Sequence, residues 1–109
     1  MRLKVTEFIQ ITTTTASEQE AYALSRQLVD QRLAACVQVS GPIRSFYRWQ
    51  GETCEASEFR CTIKSISALR ERIVEAIAGL HSYDTPQIVV MPIIHCSPEY
   101  AQWLRAQLA

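Results

Sequence analysis

Twice along this chain an alternating, β-branched run gives way to a helical stripe of apolar residues and then returns to alternation. That double switch leaves few folds open. Val5 to Thr13 reads as a first strand, with Phe8, Ile9 and Ile11 against a buried layer. Ser17 and Glu20 form an S-x-x-E capping box, and Ala21, Leu24, Leu28 and Val29 recur at helical spacing up to Arg32. Ala34 to Val39 resumes strand character and, after Gly41-Pro42, continues from Ile43 to Trp49. Proline has no amide to donate, so the interruption marks a bulge or an edge. Phe59, Cys61 and Ile63 alternate with Arg60, Thr62 and Lys64 as a half-buried strand. Ser67 is placed to cap a second helix carrying Leu69, Ile73, Ile77 and Leu80 and ending near Gly79. Ile88 to Ile94 is apolar on both faces and reads as an interior strand. Ser97 and Pro98 then open a short helix with Tyr100, Ala101, Leu104 and Leu108.

The order β-α-β-β-α-β plus a terminal helix is that of an α+β, ferredoxin-like split-βαβ fold. Right-handed crossovers place both long helices on one face of an antiparallel sheet. The other face is then left without a cover. At 109 residues the whole chain, 1-109, reads as a single domain with no repeat or linker.

A second uncovered surface lies between Arg44 and Glu58. This stretch, RSFYRWQGETCEASE, has three aromatics, two arginines and almost no aliphatic residue. Strand-forming Phe46, Tyr47 and Trp49 run into Gln50-Gly51-Glu52, a hairpin signal, and alternation puts Tyr47 and Trp49 on one face. An isolated ribbon is marginal in water, so the bare arm and the bare sheet face together predict an oligomer that buries both.

Eleven lysines and arginines balance eleven aspartates and glutamates. No net field draws the chain to nucleic acid or an anionic membrane. The longest apolar run, Ile88 to Ile94, is too short to span a bilayer, and the N-terminus lacks the uninterrupted apolar core of a signal peptide. Cys36, Cys54, Cys61 and Cys96 are irregularly spaced with no C-x-x-C pair, which points to a reducing cytoplasm.

Nucleophile elbows, phosphate loops, dinucleotide fingerprints and H-E-x-x-H are all missing from the sequence, so it reads as non-enzymatic with no organic cofactor. Glu55 and Glu58 fall on the arm and read as solvated surface. Four thiols and two imidazoles could serve a soft metal if some converge, although their spacing does not show that they do. Cys36 and Cys61 suit small buried thiols, Cys54 an exposed one. His95 and Cys96 could act together only if their strand ends between them. The loop His81-Ser82-Tyr83-Asp84-Thr85-Pro86 gathers imidazole, phenol and carboxylate, and faces Lys64 if the third strand lies beside it. Asp84 there either binds a ligand or caps backbone amides.

Five segments carry a family resemblance: Arg32-Leu33-Ala34-Ala35-Cys36-Val37, Ser45 to Gly51, Ile63-Lys64, His81 to Ile88, and Pro98 to Leu104. In that order and spacing the chain resembles the CutA divalent-cation tolerance family. The resemblance implies a cytoplasmic ferredoxin-like homotrimer whose sheets pack together and whose long second-to-third-strand hairpins reach across to neighbours. It also implies association with copper or another divalent cation. Residue by residue, it makes Cys36, with His81, the metal candidate. It places Trp49, Lys64, His81 and Tyr83, with Asp84 beside them, at an intersubunit pocket, and makes Phe46, Tyr47 and Trp49 trimer contacts. Thr13 and Ala76 stand where some members have further cysteines, and Ser82 where a proline is usual.

Two other readings stay open. The architecture is similar to that of PII signalling trimers, which implies a regulatory module binding a small anion or metabolite, with Lys64, His81 and Tyr83 as its holders. A structural scaffold is the third reading.

Overall fold

The computed structural model describes residues 6–109. Four strands, β1 (Phe8–Thr15), β2 (Cys36–Trp49), β3 (Glu52–Ile66) and β4 (Val89–Ile93), form one sheet in the order β2-β3-β1-β4. Every neighbouring pair is antiparallel. Helices α1 (Glu18–Asp30), α2 (Arg70–Leu80) and α3 (Pro98–Gln107) complete the ferredoxin-like α+β fold. The core joins Ile9 and Ile11 of β1, Cys61 and Ile63 of β3, Leu24 and Leu28 of α1, and Ile73 and Ile77 of α2, with Leu104 of α3. These are the residues that the strand alternation and the helical stripes select.

Several boundaries differ from the sequence reading. β1 begins at Phe8, and Val5 lies outside the described residues. Ser17 caps α1 as expected, its side chain accepting from the Glu20 amide at 3.1 Å. That helix ends at Asp30, because Arg32 takes a positive φ of 59° and the Leu33 and Ala34 amides turn back onto the Leu28 carbonyl. Ser67 does not cap α2. Its amide and hydroxyl donate to the backbone carbonyls of Glu7 and Thr6, and a short 3₁₀ turn, Ser67–Leu69, precedes the helix. Ser97 likewise makes no side-chain cap bond; Pro98 alone opens α3.

The largest correction concerns β4, which is an edge strand and not an interior one. Pro92 could not have donated to a second neighbour, so an edge is where this strand fits. Its apolar residues are only partly covered: Val89, Met91 and Ile94 stay exposed, Ile94 at 90%.

β2 and β3 form a ribbon much longer than the third-strand alternation indicated, paired from Cys36↔Lys64 out to Trp49↔Glu52. Its two-residue turn, Gln50-Gly51, has positive φ at both positions (49° and 79°), as a hairpin turn matching strand twist requires. Between Ser40↔Arg60 and Ile43↔Glu58 the register slips by one residue at Gly41-Pro42. Side chains alternate with period two, so the bulge exchanges the faces of β2. Beyond it, Ile43, Ser45, Tyr47 and Trp49 look out on the same side as Glu58, opposite the face that carries Cys61 and Ile63 of the core. Gly41 has φ +152°, and a Cβ there would lie 2.7 Å from Phe59 Cδ1 and 3.1 Å from the Glu58 carbonyl. Only glycine fits.

Candidate functional site

The bulge directs Ser45, Tyr47 and Trp49 toward the loop that follows α2, and a cleft of about 730 Å³ opens between them. β1 contributes Thr14 and β3 contributes Ala56 and Glu58. The loop contributes Tyr83, Asp84 and Thr85. Among the described residues, two carboxylates line the cleft and no lysine or arginine does.

The loop is held by a network rooted in α1 and β1. The His81 side chain is fully buried. Its Nε2 donates to the Thr14 carbonyl at 2.7 Å, and its Nδ1 accepts the Tyr83 amide at 3.1 Å. That pairing assigns the neutral Nε2–H tautomer, so the Glu20 carboxylate 3.6 Å from Nδ1 forms no ion pair with it. Glu20 instead accepts from the amide and the hydroxyl of Ser82 at 3.2 and 3.0 Å. Ser82 therefore gives the loop an anchor to α1. Tyr83 stacks obliquely on His81, ring centroids 4.8 Å apart, and its phenol donates to Glu58 Oε2 at 2.9 Å.

Glu58 is the chemical centre of the cleft. It is only 8% exposed, which corrects its assignment to solvated surface. Burial alone would raise its pKa, but hydroxyls from Ser45, Tyr83 and Thr14 favour the charged form and leave the pKa below the ordinary 4.5. Its contribution to stability is present above the ordinary carboxylate value and is lost as pH falls through the lower folded value. The same contact acts on Tyr83: burial, then the bond to Glu58, pushes its phenol up to about 12. Among the described residues no lysine or arginine pairs with Glu58.

The sequence-derived candidates separate into three places. Trp49, Tyr83 and Asp84 meet in the cleft, and Phe46 and Tyr47 border it. Lys64 does not reach it within one chain: the His81–Pro86 loop faces Glu58, and Lys64 Nζ donates to Gln38 Oε1 at 3.1 Å. His81 lies behind the cleft with both ring nitrogens engaged, so it acts as a brace. Cys36 sits opposite Lys64, whereas His81 bonds Thr14, which pairs with Arg60. That is four residues further along β3, roughly 13 Å, so Cys36 and His81 are not brought together.

No three His, Cys, Asp or Glu side chains converge among the described residues, and these donors do not fit a soft-metal centre in one protomer. All four cysteines are free, with Cys61 buried and the other three half-buried. Beyond β4, His95 is exposed and Cys96 half-buried. Glu58, Ser45 and Thr14 were missed as site residues. Counting back from the Gln50-Gly51 turn pairs Ile43 with Glu58 and would have revealed the first two.

A split-βαβ sheet packed with helices, a long ribbon and a polar cleft at the ribbon's base define a small ferredoxin-like α+β fold. The profile of the CutA1 divalent ion tolerance proteins matches residues 9–107, and the chain belongs to that family. It is 39% identical to a Thermus thermophilus divalent-cation tolerance protein CutA over 92 residues, 84% of this chain and 89% of that protein. A CutA protein from Archaeoglobus fulgidus is 35% identical over 97 residues, 89% of this chain and 92% of its own. The Danio rerio homolog is longer, and the match spans 81% of this chain but only 59% of that protein. The solved CutA1 of the psychrotrophic Shewanella sp. SIB1 superposes with a TM-score of 0.94 at 28% identity, covering 96% of this chain and 98% of that one.

Proposed function

We propose that this chain is a non-enzymatic homotrimer acting in divalent-cation tolerance, and that its Glu58 cleft is a site for a cationic ligand. A buried carboxylate kept ionised with no lysine or arginine partner among the described residues carries this reading, since a buried charge calls for a counter-charge. The trimer is supported by surfaces one chain leaves bare: Phe46, Tyr47 and Trp49 on the ribbon, and Val89, Met91 and Ile94 along the edge. Free thiols favour the cytoplasm, although the solved Archaeoglobus fulgidus relative, 32% identical over 92% of this chain and 97% of its own, is described as periplasmic.

Copper would be held elsewhere, at the half-buried thiol of Cys36, with the trimer supplying further copies. In an anaerobic Cu(I) titration, Cys36→Ser should weaken binding by about tenfold or more, while Glu58→Gln leaves it unchanged. Equal affinity and stoichiometry in wild type and Cys36→Ser would remove this thiol from the site.

The size of the cleft supports a second reading, a regulatory trimer that binds a small molecule. Its volume of about 730 Å³ suits an organic ligand better than a single ion.

A further inference from the structure

The cleft combines three features that together select a class of ligand. Its floor holds Glu58, buried and without a lysine or arginine partner among the described residues. Its rim adds the exposed carboxylate of Asp84. The hairpin wall presents Tyr47 and Trp49, whose faces attract cations and accept apolar carbon. An anionic metabolite would meet two negative charges and, among the described residues, no lysine or arginine in the lining. A hydrated metal ion would leave the aromatic wall and most of the volume unused.

We infer that the cleft takes a small organic cation, its ammonium group seated against Glu58 and its carbon body against Trp49 and Tyr47. The inference rests on the small-molecule reading of the cleft and narrows it to one chemical class. Tyr83 is a positioning residue here: its phenol occupies Glu58 Oε2 and aims the carboxylate, while His81 and Glu20 hold the loop behind it. Asp84 adds long-range attraction at the rim.

Choline is a suitable probe, compared by calorimetry with its uncharged carbon isostere dimethylbutanol and with succinate. Wild type should bind choline at millimolar concentration or below, and dimethylbutanol and succinate should each bind at least about tenfold more weakly, the loss of the ionic and cation–π attraction. Glu58→Gln should weaken choline by a similar factor. Asp84→Asn, at an exposed position that leaves the fold intact, should weaken it by a smaller one.

Equal binding of choline and dimethylbutanol, or binding of succinate alone, would overturn the cationic class and leave the small-molecule reading standing. Failure of all three probes would remove both. Choline binding by Lys64→Gln but not by wild type would show that a lysine from a neighbouring copy already fills the place, and would also overturn the inference.

Discussion

Gly41→Ala should lose roughly 2–4 kcal/mol of stability, combining backbone strain at a disallowed conformation with steric overpacking. At φ +152° the new methyl group would meet the Phe59 ring at 2.7 Å and the Glu58 carbonyl at 3.1 Å. The ring can swing, but the carbonyl belongs to the paired ribbon and cannot move without breaking register. Relief therefore comes by opening the bulge, and the bulge is what places Ser45, Tyr47 and Trp49 on the side of Glu58. The variant should show a lowered denaturation midpoint together with weakened choline binding. An unchanged midpoint would mean that the ribbon does not depend on this close approach.

Trp49→Ala should have the other large effect, on assembly. Phe46 and Trp49 are 68% and 61% exposed in one chain, near the tip of a ribbon with no core of its own. Aromatic anchors of this kind dominate interface energies, so truncating Trp49 should cost roughly 2–4 kcal/mol per contact. Light scattering at micromolar concentration should give wild type three times the 12.4 kDa chain mass and the variant a mixture shifted toward smaller species. A stable wild-type monomer would contradict the trimer and leave the exposed aromatics unexplained.

The fold was legible because its signals were local. Each strand and helix carried its own period, and the Ser17 capping box located the start of α1. The misplacement of β4 had a visible antidote in Pro92, whose missing amide argues for an edge; apolarity on both faces outweighed it. Ser67 shows the limit of local reasoning, because its hydrogen bonds go to the chain just before β1, a partner that no spacing rule indicates.

The cleft was half legible. The family resemblance and the loop composition pointed to Trp49, Tyr83 and Asp84, which do meet. Glu58 was lost because the polar composition of the arm suggested solvent on both faces. Glu55 and Glu58 stand at odd spacing on β3 and so face opposite sides of the ribbon; the cleft side covers Glu58, while Glu55 stays exposed. Lys64 and His81 were assigned by family likeness to the wall of an intersubunit pocket. The structure gives His81 a bracing role, and within one chain it puts Lys64 four residues along β3 from the position that pairs with Thr14.

The central claim is that a buried carboxylate stays ionised to receive a cation, and a carboxyl-carbon NMR titration of Glu58 tests it most directly. In the free protein its pKa should lie below the ordinary 4.5, and choline should lower it further. A pKa above 4.5 that choline does not move would describe a neutral, purely structural acid and contradict the account.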